Sequence, residues 1–129
     1  MKPQAREWTR KADEDWAAAN RLSRGKKPIY NLVCFHAQQC LEKYLKAVLE
    51  QKAVPVPRTH DLAVLVELAQ PELNALLLQK PELEILSGYA VASRYPGDNA
   101  TKAQAHQSLR IASSIRKSVR QLLGLRNQP

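Results

Sequence analysis

The sequence predicts an all-α protein, an up-down helical bundle of four to five helices forming a single domain. Three observations carry this. Apolar residues recur at helical spacing through almost the whole chain. No run alternates with period two and β-branched enrichment, so nothing reads as a strand. The length of 129 residues, with 44% hydrophobic and 25% charged residues, suits one core and not two. The domain is expected to span 1–129, with its core over about 5–123.

The first helix is expected from Gln4 to Ser23, with Trp8, Ala12, Trp16 and Ala19 as one apolar stripe. Gly25 ends it. The second helix runs from Pro28, which suits a first helical position, to Lys52. Val33, Ala37, Cys40, Leu41, Tyr44, Ala47 and Val48 give it a wide apolar face, so it forms the centre of the core. The segment Ala53-Val54-Pro55-Val56-Pro57 reads as extended, because each proline pushes the residue before it out of the helical region. Thr59 is the expected N-cap of a third helix, with Asp61 in its first turn and Leu62, Leu65, Val66 and Leu68 on its stripe. Leu73, Leu76 and Leu77 follow Pro71 as a short helix, and Pro81 opens another that ends near Ser93. The Pro-Gly pair in Arg94-Tyr95-Pro96-Gly97-Asp98 marks a loop. Thr101 or Asn99 caps the last helix, which carries Ala105, Leu109, Ala112, Ile115, Val119 and Leu122 and stops at Gly124.

Composition excludes several function classes. Glycine occurs four times, and neither the phosphate-loop pattern nor the dinucleotide fingerprint is present. Cys34 and Cys40 lie about 120° apart on one helix and cannot bridge within it, so both are expected reduced and mainly buried. The three histidines are not placed at metal-ligand spacing from a cysteine pair, so no structural zinc site is expected. No apolar run approaches membrane-spanning length, and the N-terminus leads into no secretory apolar region; a cytoplasmic protein without membrane contact is expected.

The net charge of +8 is uneven. Residues 99–129 hold six basic residues (Lys102, Arg110, Arg116, Lys117, Arg120 and Arg126) and no acid, whereas 54–98 hold three basic and six acidic residues. Such a basic element either concentrates anions such as nucleic acid or serves only solubility. It lacks interleaved aromatics, so contact with RNA there would be to phosphate and sensitive to salt.

Polar residues that can carry chemistry cluster on the second helix. His36, Gln39, Lys43 and Lys46 lie within about 80° of one another, beside the core stripe and not opposite it. Two readings stand: hydrogen bonds to a neighbouring helix or dimer partner, or a strip facing a ligand. In Thr59-His60-Asp61-Leu62, capping accounts for Thr59 and Asp61. His60 is left over as a titrating or phosphate-binding group. Arg94 is either an anion clamp or a turn arginine paired with Asp98 or with helix carbonyls. No Ser-His-Asp set and no paired carboxylates suggest acid–base catalysis. His106 reads as structural or exposed.

The chain resembles the HEPN (higher eukaryotes and prokaryotes nucleotide-binding) domain family. The resemblance rests on Trp8-x3-Ala12 with Asp15-Trp16, on the string from Cys34 to Ala47 (CFHAQQCLEKYLKA), on Thr59-His60-Asp61-Leu62 and on Arg94-Tyr95-Pro96, in that order. It implies a bundle of four to five helices, usually a homodimer, in small prokaryotic proteins. Many of these are encoded beside a minimal nucleotidyltransferase, with which they form a complex or a toxin–antitoxin pair. It also implies, for some members, metal-independent ribonuclease activity from an arginine followed after four to six residues by a histidine. No arginine here is so followed: after Arg94 the eligible positions are Asn99, Ala100 and Thr101. The tyrosine that a partner transferase modifies cannot be placed either.

The leading expectation is therefore a non-catalytic HEPN module. It would dimerise and bind a nucleotide such as ATP, a minimal nucleotidyltransferase, or both. The ligand residues would be His36, Gln39, Lys43, Lys46, His60, Asp61 and Arg94, with no metal and no resident cofactor. The alternatives are a metal-independent ribonuclease toxin acting on RNA through a variant site, with His36 or His60 as base and Arg94 on the phosphate, and a plain assembly protein.

Overall fold

In a computed structural model of the chain, residues 1–91, 95–97 and 99–126 are described. Among them the helices are α1 (Pro3–Leu22), α2 (Tyr30–Gln51), α3 (Leu62–Leu68), α4 (Lys80–Gly88) and α5 (Lys102–Leu122), with a 3-10 turn at Asn74–Gln79 before α4. No strand occurs among these residues.

Helix α1 starts with Pro3 in its first turn, where the missing N–H costs nothing. Its buried residues are Ala5, Thr9, Ala12, Asp15 and Ala19. Small side chains let its backbone approach α2 closely, and the two indoles of the expected stripe are displaced to the margins. Trp8 lies under Lys46 Nζ, 5.6 Å from the ring centre, and Trp16 lies under the Arg116 guanidinium at 5.1 Å. Gly25, at φ +87°, makes the turn towards α2 in a conformation that other residues rarely adopt. Pro28 stays outside the helix: Ile29 is the N-cap, and its N–H is tied to the Leu22 carbonyl at 3.0 Å.

Helix α2 is the central element. Val33, Cys34, Ala37, Cys40, Leu41, Tyr44, Leu45, Val48 and Leu49 are buried on it, as its wide stripe predicts. Both cysteines are free and buried. Burial pushes both thiols above their ordinary range; for Cys34 the hydrogen bond from Ser108 opposes this. They therefore behave as small apolar residues.

The N-cap of α3 is Asp61 and not Thr59. The Asp61 carboxylate accepts from the Ala63 and Val64 N–H groups, while Thr59 Oγ1 accepts from the Asp61 N–H at 3.1 Å. The hydroxyl thus shapes the turn before the helix, and the acid is the cap. Leu62, Leu65 and Val66 of α3 and Leu83 and Leu86 of α4 close one end of the core. Helix α4 ends at Gly88, earlier than expected; Ser93, Arg94 and Asp98 lie outside the described residues.

Helix α5 opens with a reciprocal capping box. Thr101 Oγ1 accepts from the Gln104 N–H, and the Gln104 side chain accepts from the Thr101 N–H. It runs parallel to α2, because Ser108 meets Cys34 near one end and Arg120 meets Tyr44 near the other. The α3–α4 segment makes that parallel return possible. Leu122, placed on the stripe by periodicity, is 40% exposed. The basic character of α5 is not all on its surface either: Arg116 and Arg120 are buried. No helix among the described residues is long and apolar enough to cross a membrane.

Candidate functional site

Three acidic residues organise the polar side chains around α2. The first, Asp15, comes from the buried face of α1. One of its oxygens lies 2.7 Å from His36 Nδ1, and the other accepts from Lys43 Nζ at 2.6 Å. His36 and Lys43 lie on one face of α2, and Asp15 ties that face to α1.

The second, Glu42, lies on α2 itself. Lys46 Nζ donates to one oxygen at 3.0 Å, an i,i+4 pair. The other oxygen faces His60 Nδ1 at 2.7 Å, Gln38 Nε2 at 3.1 Å and Gln39 Nε2 at 3.4 Å. Gln38 also donates to the His60 carbonyl at 3.2 Å, so the connector before α3 is held through both backbone and ring. Burial pushes the Glu42 carboxyl up, but the hydrogen bonds from His60, Gln38 and Lys46 outweigh it and hold it below the ordinary carboxylate value. Glu42 is therefore ionised at neutral pH and only accepts, so His60 donates through Nδ1 and its Nε2 is left as the second ring nitrogen.

The third, Asp13, sits at the α1–α5 side. Tyr44 Oη donates to it. Arg120 Nη1 reaches both of its oxygens at 3.2 Å, and Arg116 Nη2 reaches one at 3.4 Å. Arg120 Nη1 also donates to Tyr44 Oη at 3.0 Å. Burial, and then the hydrogen bond to Asp13, push the Tyr44 phenol up to about 12, so it is neutral at physiological pH.

The structure thus brings His36 and Lys43 together on Asp15, and Gln39, Lys46 and His60 together on Glu42. Asp61 stands apart from both groups as the α3 cap, and Arg94 lies outside the described residues. The anchors are not among the sequence's candidate site residues: Asp13 is not singled out, Asp15 and Glu42 enter only within the motifs of the resemblance, Tyr44 as a core residue, and Arg116 and Arg120 as part of the basic C-terminal element. A signal for Asp15 exists, since it falls three residues after Ala12 and four before Ala19, inside the register of buried small residues. No group of three or more His, Cys, Asp or Glu side chains among the described residues is arranged to hold a metal ion.

Chemically, α2 and the connector before α3 offer two imidazoles, each backed by a buried carboxylate, and a lysine that shares Asp15 with one of them. The His60 side chain is 60% exposed, His36 26% and Lys43 23%, so all three reach solvent from a fixed base. Hydrogen bonding to carboxylates orients such rings and fixes their tautomer.

The same architecture is found in solved structures. The crystal structure of TT1696 from Thermus thermophilus is similar with a TM-score of 0.75 and 23% identity, over 93% of this chain and 98% of that one. The crystal structure of ST0689, an archaeal HEPN homologue, is similar with a TM-score of 0.73 and 26% identity, over 95% and 98%. Among curated proteins nothing matches. The HEPN domain model matches residues 5–122. With that match running through all five helices, this chain belongs to the HEPN domain family.

Proposed function

We propose that this chain is a non-catalytic, nucleotide-binding HEPN module that forms a homodimer and docks a minimal nucleotidyltransferase, as one half of a cytoplasmic toxin–antitoxin-like pair. At family level HEPN domains carry nucleotide-related or ribonuclease-like functions and commonly dimerise. The observation that supports binding is the strip itself. His36 and His60 stand 2.7 Å from the buried carboxylates Asp15 and Glu42, Lys43 shares Asp15 with His36, and Gln39 shares Glu42 with His60. Donors held in place before a ligand arrives lose little entropy on binding it. Lys43 would meet phosphate charge, and the imidazoles and Gln39 would orient the ligand.

The test is equilibrium binding of ATP to the wild type and to Lys43→Ala and His60→Ala. Each substitution is expected to weaken binding about tenfold, the effect of a lost charged hydrogen bond. Affinity unchanged in both variants would remove the strip from the reading.

One observation favours a second reading. A carboxylate–imidazole pair with an accessible ring is also the arrangement of a general base. Incubating a mixed RNA with the purified protein in EDTA, beside His36→Ala, His60→Ala and Arg94→Ala, decides between them. Cleavage that these substitutions abolish makes the chain a ribonuclease with a displaced site; no cleavage above a mock purification leaves the binding module.

A further inference from the structure

The second half of α1 and the middle of α5 leave a depression of about 280 Å³ between them, remote in composition from the α2 strip. Asp13, Trp16, Asn20, Arg21, Arg24 and Arg116 line it. We infer that this depression is a binding site for a polyphosphate chain, seated on the guanidinium groups of Arg21, Arg24 and Arg116.

Arg116 forms the inner part of the site, and its position is fixed by folding. Its side chain is 5% exposed, its Cζ lies 5.1 Å from the Trp16 ring centre and 5.9 Å from the Tyr44 ring centre, and Nη2 reaches Asp13. The cost of removing this guanidinium from water is therefore met when the chain folds, and an incoming anion gains its attraction without that cost. Arg21 and Arg24 are exposed at the rim, and among the described residues neither is held in a salt bridge. They can close on a ligand without giving up a partner.

The charge of the lining favours an anion. Three arginines face one carboxylate, Asp13. The carboxyl end of α1 contributes about half a negative charge more, which the arginines still exceed by about one and a half. Tyr44 adds none, since its phenol is neutral at physiological pH. Guanidinium forks match pairs of phosphate oxygens, so the two exposed forks of Arg21 and Arg24, with the fixed positive charge of Arg116 behind them, suit two linked phosphates better than a single carboxylate ligand. The volume of about 280 Å³ falls just short of the range for small-molecule sites, about 300–1,000 Å³. It accommodates a phosphate chain and leaves any nucleoside outside. This inference does not rest on the α2 strip.

The experiment is calorimetric titration of the full chain with inorganic pyrophosphate at low salt. The wild type is compared with the double variant Arg21→Ala/Arg24→Ala and with the charge-matched double variant Arg6→Ala/Arg10→Ala at the other half of α1. The altered arginines are all exposed, and thermal melts without ligand check that every variant folds. Pyrophosphate affinity is expected to fall at least tenfold in Arg21→Ala/Arg24→Ala and less than twofold in Arg6→Ala/Arg10→Ala. The same loss with ATP would identify a nucleoside polyphosphate as a source of the chain; a loss with pyrophosphate alone would identify the free anion. Equal losses in the two double variants would reduce the effect to net charge and overturn the site. So would unchanged affinity in Arg21→Ala/Arg24→Ala, or loss of binding to a single-stranded RNA with no pyrophosphate binding at all.

Discussion

The Glu42 and Asp13 clusters are built from the same kinds of groups with their polarity reversed. In the first, the acid is inside with Lys46 buried beside it, and His60 extends outward. The Glu42 side chain is 6% exposed, Lys46 9% and His60 60%. In the second, the bases are inside and the acid stands at the mouth: Arg116 is 5% exposed, Arg120 4% and Asp13 35%. The reversal decides which sign of charge each cluster takes out of water. The buried Glu42 carboxylate fixes an imidazole at the surface, where it can meet a ligand. Buried guanidiniums make the interior beside α5 positive; the rings of Trp16 and Tyr44 cover Arg116, and Arg120 donates to Tyr44 Oη.

That reversal sets the size of the effects when either acid is removed. Glu42→Ala leaves Lys46 buried without its carboxylate, and a broken buried pair costs about 3–5 kcal/mol. Asp13→Ala leaves two buried guanidiniums, Arg116 and Arg120, without that carboxylate, and is expected to cost about as much, although Arg120 keeps its hydrogen bonds to Tyr44 Oη and the Arg126 carbonyl. Urea unfolding of the two variants measures both. A loss for either variant below about 1 kcal/mol, the value for surface pairs, would break the comparison, since the basic groups left behind would then not be held out of water.

How much of this was legible depends on residue type. The α2 stripe and the α5 capping box are visible in the sequence because periodicity and Thr-x-x-Gln spacing are local properties. The strip from His36 to Lys46 is legible for the same reason, as a face. Its anchors are not, because Asp15 reaches it from another helix and Glu42 joins it to a residue eighteen positions away. On α1, hydrophobicity favours Trp8 and Trp16 for the core. Close helix packing instead selects Ala5, Ala12 and Ala19 and moves the indoles aside. Arg116 and Arg120 read as surface charge by type. Only their places next to Ile115 and Val119 suggest otherwise, and no local rule turns a basic residue inward without knowledge of Asp13 and Tyr44.

The two clusters should also fail at opposite ends of the pH range. Glu42 titrates below the ordinary carboxylate value of 4.5. A carboxyl depressed in the folded state contributes stability that is complete above its unfolded pKa and is lost as pH falls through the folded one. The stability gap between wild type and Glu42→Gln should therefore narrow as pH falls from about 5 towards 3. Tyr44 is shifted the other way, from 10 to about 12. Its contribution is complete below pH 10 and is lost as pH rises through about 12, so wild type should lose more stability over that interval than Tyr44→Phe. Thermal melts across both limbs read the two gaps. A gap for Glu42→Gln that stays constant into acid would show that its carboxylate is not held by His60, Gln38 and Lys46 as the geometry has it.

The smallest effect on stability is expected at the group with most to do outside the fold. His60→Ala removes a 2.7 Å hydrogen bond to Glu42, but the imidazole is 60% exposed and the bond is largely offset by water. Glu42 keeps Gln38, Gln39 and Lys46, and Gln38 keeps the backbone carbonyl of residue 60. The loss should be at most about 1 kcal/mol, a fall in Tm of about 4 °C for a chain of this length. The connector before α3 would then stay docked while the strip loses one of its two outward rings. That separation is what makes the substitution informative: weakened ATP binding with a nearly unchanged Tm assigns the ring to ligand recognition. A fall of about 10 °C or more, by the same conversion, would make His60 a structural tie between the connector and α2, and would shift the ligand-facing role to Lys43 and His36.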